Sequence, residues 1–548
     1  MSDSPMVDMT PPTRLVVHEF VKSIATELGW FRPHFTTPIS CARAAGARAE
    51  RRPGIRTLRR PIRNSFRNAV IDQWVGCVEI DSKLEFRTRK SHYPRRETPA
   101  SGAVAMPMTS AGEDAEARRP LLTRKRSDGE DDEQGGDASL AGAVFNLSTT
   151  IVGAGIMALP ATMKVLGLVP GLTLVVLAAV LTDSSIELLM RFSNAVGAAS
   201  YAEAMGDAFG ALGRGFLQLC VVVNNVGVMV VYMIIIGDVL SGTSSSGGAH
   251  HHGVFEGWFG HNRWNGRFII LLITTIGVIT PLTCFKRVDS LKYTSAVSVA
   301  LAVVFVVITG GIAVIKLTRG QIPMPKLFPD VHDWESIFRL FTAAPVLVTA
   351  YICHYNVHPI HNELKDPAQI KPIVRASLVL CSVVYVTTSF FGFLLFGEDT
   401  LDDVLANFDS DIGIPYGSVF NDAVRVSYAL HLMLVFPIVF HALRLNMDGL
   451  LFPSARPLAC DDRRFAALTA ALLAVIFLAA NFVPNIWTAF QFTGATAAVS
   501  IAYIFPAAMA LRDRHGIAKK RDKFLAVFMI VIAAVSNGVA VYSDACSL

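Results

Sequence analysis

The chain has 548 residues, 52% of them hydrophobic and 17% charged, with a formal net charge of +5 and a mean hydropathy of +0.45. Both the apolar fraction and the hydropathy exceed those of a soluble globular protein, which excludes that class. The net charge says little alone, because in a membrane protein the position of each charge is what matters.

Residues 1–137 stand apart. Arg43 to Arg96 is rich in arginine, and Ala, Gly, Ser and Pro follow before the acidic run Glu130 to Glu133. Such a stretch cannot bury a core and is predicted to be a disordered cytosolic region. An organelle transit peptide is the weaker alternative, since Glu19, Glu27, Glu50 and Glu79 are unusual in one. An upstream extension is another, with Met106 or Met108 as a sensible start. Glu116 to Leu122 resembles an acidic dileucine sorting signal, but its acid is one position too far from the leucines, and an ordinary polar tail is preferred.

From residue 138 a single transmembrane domain extends to the C-terminus. Apolar windows of about 20 residues, enough to cross roughly 30 Å of hydrocarbon, recur eleven times. They cover about 140–166, 168–190, 214–240, 267–285, 293–315, 336–358, 373–396, 421–443, 465–482, 485–511 and 524–542. The fold class predicted is an all-α polytopic membrane protein with eleven transmembrane helices. Lys and Arg concentrate before the first window and after even-numbered ones, while Glu398 to Asp411 contains neither; the loop after the fifth window breaks the pattern mildly, with Lys316, Arg319 and Lys326. The positive-inside rule therefore puts the N-terminus in the cytosol.

The first window is the most informative. Gly153, Gly155 and Pro160 sit where an uninterrupted helix would take Leu or Ala. Glycine costs a helix about 1 kcal/mol and proline about 3, and a freed backbone group in lipid costs several more unless it lines a cavity. A break in the first helix is predicted, with the backbone of Gly153, Ala154 and Gly155 binding a ligand. Small-residue helix packing is the alternative. Ser148 and Thr149, one turn earlier, can add hydroxyls, and Asn146 is either a site residue or interhelical glue.

The sixth window repeats the pattern. Pro345, His354, Asn356, His358 and Pro359 fall within one membrane length, and Ala350, Tyr351 and His354 are placed at a second break. Broken helices five windows apart point to two five-helix repeats of inverted topology with a site between them, plus one further helix. His354 is the ionisable group best placed at depth, and His431 in the eighth window is a second candidate for proton coupling. Asp183 is a third. Its neighbours Glu187 and Arg191 are read as an i,i+4 pair at the membrane edge. His250 to His252 are read as a solvated Gly/Ser-rich loop rather than a metal site. The eight cysteines show no metal spacing and imply no disulfide framework. No catalytic nucleophile–base set is present, so no enzyme and no cofactor are predicted.

Three stretches carry a family resemblance: the first window, Cys353-His-Tyr-Asn-Val-His-Pro-Ile360 followed by Glu363 to Asp366, and Ser427 to Pro437. They resemble the amino acid/auxin permease family, most closely its plant-type vacuolar amino acid transporters and more distantly the animal sodium-coupled neutral amino acid transporters. The resemblance covers about 140–545. It implies eleven spans, a LeuT-like core and amino acid transport driven by an ion gradient. Sodium-coupled relatives tend to carry a hydroxyl residue just before the proline of the eighth span and Asn where this chain has Thr149. Leu432 to Phe436 has no hydroxyl. Both departures favour protons over sodium.

The expected function is secondary active transport, with proton-coupled export of amino acids from a vacuole or lysosome to the cytosol. The alternatives are an amino acid sensor with little flux and a sodium-coupled symporter. The partners expected are a small-molecule amino acid and the lipid bilayer, with no nucleic acid. Because residues 1–105 lie outside the resemblance, a chain starting at Met106 is expected to reach the same membrane and transport equally well. Uptake by full-length and truncated proteins, each purified and reconstituted, checks this.

Overall fold

The computed structural model describes residues 139–244, 250–260, 262–408, 413–483 and 497–547. The expectations for residues 1–137, the sorting signal included, lie outside them. The protein is a multi-pass helical membrane protein. Among the described residues eight helices are long and apolar enough to cross a bilayer, or nine counting the bent pair α1 (Leu140–Ile151) and α2 (Gly155–Leu166) as one span. Their outward faces carry exposed stripes such as Val176/Val180, Val304/Val307, Val379/Val383 and Val531/Val535. The interior instead collects Ser, Thr, Asn and His. The apolar outer surface departs from the soluble pattern and suits hydrocarbon as solvent, while the interior is largely apolar with these polar groups set among it.

Ser139 caps α1 by accepting a hydrogen bond from the Gly142 amide at 3.1 Å. The chain then bends by 53° between α1 and α2. Pro160 does not make that bend: it lies inside α2, packed where a side chain on Gly392 would meet it. Next come α3 (Leu168–Val196) and α4 (Tyr201–Ser241), the latter kinked at Gly210, whose φ of 71° only glycine adopts freely. A short ribbon follows, β1 (Gly242–Ser244) antiparallel to β2 (His250–His252), pairing Gly242 with His252. The loop reading of His250 to His252 is corrected here, because extended backbone after Gly242 pairs instead of wandering. Beyond it lie α5 (Val254–Phe259), α6 (Arg267–Thr274), a π-helical turn at Thr275–Ile279 and α7 (Thr280–Thr283).

The chain continues through α8 (Lys292–Thr318), α9 (Trp334–Phe341), α10 (Ala343–Tyr351) and α11 (His354–Asn362). Then follow α12 (Ile370–Phe396), α13 (Val404–Asn407), α14 (Gly417–Leu451) and α15 (Asp462–Phe482). A second π-helical turn, Ser500–Ile504, leads into α16 (Phe505–Leu511), and α17 (Lys520–Ser547) ends the described chain. The fourth apolar window folds as a shorter apolar helix, Arg267–Thr283, and the described part of the tenth holds another, Ser500–Leu511, each with a π-helical turn. Residues 484–496 of the tenth window lie outside the described residues. Length alone therefore does not reach eleven spans.

The centre of the bundle is α14, which packs most extensively on α4 and α8. Near its C-terminal end Arg444 is almost fully buried, donating to Thr283 O at 2.7 Å, Phe285 O at 3.1 Å and Thr469 Oγ1 at 3.1 Å. Its guanidinium also lies 3.8 Å from the Phe465 ring centroid. One side chain thus ties α14 to the end of α7 and the start of α15. Arg444→Ala strands two buried carbonyls and removes charge-assisted bonds, a loss of about 3 kcal/mol. Arg444→Lys is expected to recover little, since a point charge cannot reproduce the planar fork. Thermal unfolding of the purified variants in detergent measures both.

Candidate functional site

The first break lies against α12 and α14, which send Tyr385, Tyr428 and His431 to it, and Tyr385 also reaches Ala350 just before the second. In the first, Val152 is extended at φ −76° and ψ 99°, and α2 starts at Gly155. The irregular stretch is thus Val152 to Ala154, and Gly155 is already helical. In the second, Ile352 is extended at φ −69° and ψ 116°, and Cys353 follows before α11 begins at His354.

Three carbonyls at the first break meet side chains from other helices. Tyr385 Oη donates to Ile151 O at 2.6 Å, His431 Nε2 lies 3.1 Å from Val152 O, and Tyr428 Oη donates to Gly153 O at 2.6 Å. Tyr385 Oη also lies 2.6 Å from Ala350 O, the carbonyl at the end of α10. One phenol proton serves one carbonyl at a time, so two helix C-termini compete for it. The Tyr351 ring meets that of Tyr385 edge to face at 5.0 Å, and its hydroxyl is 2.8 Å from Ser382 Oγ.

The two glycines have different neighbours. A Cβ on Gly153 would stand 2.1 Å from Tyr232 Oη, and one on Gly155 would stand 2.9 Å from Ala350 Cα. In this conformation Gly153 admits a phenol, and Gly155 lets α2 rest directly on α10. Close helix packing, the alternative weighed for these glycines, is what Gly155 does here. Ser148 Oγ is buried without a hydrogen-bond partner among the described residues, whereas Thr149 Oγ1 donates to Ser295 O on α8 at 3.0 Å. Asn146 Nδ2 donates to Val288 O at 3.0 Å, which is the interhelical bond.

The histidines are both buried and both engaged. His354 Nε2 is 3.1 Å from Ser185 Oγ on α3, and His431 Nδ1 is 2.9 Å from Ser298 Oγ and 2.8 Å from Ser298 O on α8. Asp183 is not brought to either break: Arg375 on α12 holds it at 3.4 Å. The expected Glu187–Arg191 pair is corrected by packing between helices. Glu187 pairs with Lys371 at 3.0 Å, and Arg191 reaches Asp522 at the start of α17 at 2.5 Å. Sequence reasoning missed Tyr232, Tyr385, Tyr428, Ser185 and Ser298. A phenol deep in an apolar window was the available signal, because its hydroxyl must find a partner there.

Gly153→Ala is expected to abolish uptake, with partial recovery on adding Tyr232→Phe, since the remaining contact to the ring carbon is 3.0 Å. Gly155→Ala meets backbone and should find no such rescue. Uptake normalised to the amount of each variant in the membrane tests the contrast.

The chain is similar to known proteins over most of its transmembrane part. The family described as "Transmembrane amino acid transporter protein" matches residues 136–545. Amino acid transporter AVT6A of Arabidopsis thaliana is 64% identical over 429 residues, covering 78% of this chain and 93% of its own. Amino acid transporter AVT6B of the same plant is 62% identical over 435 residues, covering 79% and 95%. Among solved structures, a Na+-coupled sialic acid symporter aligns with a TM-score of 0.47 and 11% identity over 74% of this chain and 89% of its own. MhsT in complex with L-phenylalanine aligns with a TM-score of 0.47 and 11% identity over 75% and 99%. On the match over residues 136–545 and the identity to the two plant relatives, the chain belongs to the transmembrane amino acid transporter family, the amino acid/auxin permeases.

Proposed function

We propose that the protein is a secondary active transporter that exports amino acids from a vacuole or lysosome to the cytosol by alternating access, coupled to protons. One observation carries the reading: Ile151 O and Ala350 O, the carbonyl ends of two broken helices, converge within 2.6 Å of the single hydroxyl of Tyr385. Helix C-termini carry partial negative charge and N-termini partial positive charge. The converging carbonyls suit an ammonium, and the amides that open α2 and α11 suit a carboxylate. An amino acid presents both groups. Ser148, Thr149, Gly153, Ala154, Gly155, Ala350, Tyr351 and His354 remain the proposed substrate-binding residues. Eleven spans in a LeuT-like arrangement, two inverted five-helix repeats plus one helix, are part of the same proposal.

The geometry of His431 supports proton coupling. Its Nδ1 lies 2.8 Å from Ser298 O and its Nε2 lies 3.1 Å from Val152 O. Carbonyls only accept, so both contacts are hydrogen bonds at once only when both ring nitrogens carry protons. Protonated His431 would then clamp the first break to α8. Loss of one proton would release one carbonyl, with Ser298 Oγ able to donate to Nδ1 instead.

Reconstituted transport should follow a pH gradient and collapse with a protonophore, while replacing sodium by choline changes little. His431→Gln should flatten the pH response, because an amide cannot take up the proton. Sodium-dependent uptake without a pH gradient would reject the proton reading. Full pH-dependent flux in both His354→Gln and His431→Gln would move the coupling elsewhere, with Asp183 next to test. An absence of flux with amino acid binding retained would favour a sensor.

A further inference from the structure

We infer that Ser185 on α3 is a positioning residue that holds His354 with its proton on Nε2, leaving Nδ1 as the proton-accepting atom at the second break. The inference deepens the coupling role given to His354 above and rests on it for its functional half.

Pro506 is the starting point in the sequence. Proline has no amide proton, so it cannot donate to Ala502 O one turn before it. The π-helical turn Ser500–Ile504 lies at this point, and its last irregular bond runs from the Phe505 amide to Ser500 O. Two of its carbonyls are met by side chains instead: Tyr201 Oη donates to Ile501 O at 2.9 Å, and Ser185 Oγ donates to Ala502 O. A carbonyl can only accept, so the single hydroxyl proton of Ser185 is committed to Ala502 O. Ser185 Oγ can then only accept from His354 Nε2, 3.1 Å away. The tautomer follows: Nε2 carries the proton, and Nδ1 keeps its lone pair. His354 and Ser185 are both fully buried, and His354 Nδ1 has no hydrogen-bond partner among the described residues.

The titratable groups around His354 are Cys353, Tyr355 and His358 on its own segment, Tyr503 from the π-helical turn and Cys381 from α12, which interact with Cys353, and Tyr232 from α4, which interacts with Tyr355. None of these is a carboxylate, a lysine or an arginine. Ser185 is thus the polar group that decides which imidazole nitrogen takes up a proton. A serine oxygen accepts more strongly from an imidazolium than from a neutral ring, so its removal should also lower the affinity of His354 for protons.

Two measurements on the full-length purified protein test this. The first is the ¹⁵N spectrum of histidine-labelled protein, with His354 assigned by its loss in His354→Gln. Nε2–H is expected in the wild type and in Ser185→Thr, and a mixture of tautomers in Ser185→Ala. An Nδ1–H signal in the wild type would overturn the inference, whatever the flux. The second is transport in proteoliposomes with a mixture of the twenty radiolabelled protein amino acids. Ser185→Ala should keep exchange without a pH gradient within about two-fold of wild type, while the midpoint of pH-driven uptake moves about half a pH unit to the acid side. Ser185→Thr should restore the midpoint, and Ser185→Ala should add nothing to His354→Gln. An unchanged midpoint, or equal loss of exchange and driven uptake that Ser185→Thr does not restore, would leave Ser185 merely structural and overturn the inference. If Ser185→Ala does not fold, Ser185→Cys carries the same comparison. A wild type with Nε2–H but no pH-dependent flux keeps the positioning and rejects proton coupling.

Discussion

Backbone polarity in hydrocarbon is the constraint on which the rest of this structure depends. A carbonyl or amide without a partner in lipid costs several kcal/mol, so a membrane helix is interrupted only where other groups take over its hydrogen bonds. Ile151, Val152 and Gly153 give up their regular bonding and receive Tyr385, His431 and Tyr428 in return. Those donors come from α12 and α14, so the break is built by distant segments rather than by its own residues. The same substitution occurs at the turn before Pro506, where Ser185 and Tyr201 serve the carbonyls of Ala502 and Ile501.

Such replacements couple helices that would otherwise slide freely past one another. Tyr385 touches both broken helices, and His431 joins the first of them to α8. Asn356 on α11 donates to Thr150 on α1 at 3.0 Å and to Ile438 O on α14 at 3.3 Å. At the end of α11, the Glu363 carboxylate accepts from the Val288 and Asp289 amides, and burial pushes its pKa up from the usual carboxylate range. A movement of either broken helix therefore has to exchange several of these bonds together, which is the physical basis for a small number of discrete conformations.

Parts of the site were legible in the chain and parts were not. Gly153 marks the first break, and the second falls beside Ala350, Tyr351 and His354, where the composition of the sixth window predicts it. Pro160 is misleading: its missing amide is tolerated inside α2, and the bend comes earlier. The Glu187–Arg191 pairing fails because i,i+4 spacing describes an isolated helix, whereas Lys371 and Asp522 arrive from other segments. The windows around the π-helical turns look like ordinary spans because hydropathy is blind to the hydrogen-bond pattern within a helix.

By itself the sequence determined the membrane character, the approximate position of most apolar segments and the interruption near Gly153, because these follow from local composition and from glycine's cost to a helix. Only the tertiary structure decided which side chains meet the carbonyls at the break, which face of Gly155 is closed by Ala350, and which side chain meets Nε2 of His354. Those outcomes depend on contacts between residues more than a hundred positions apart, such as His354 with Ser185 and Ser185 with Ala502. Local spacing contains no record of them, since a hydroxyl in an apolar window announces only that it needs a partner, and packing alone determines which partner it finds.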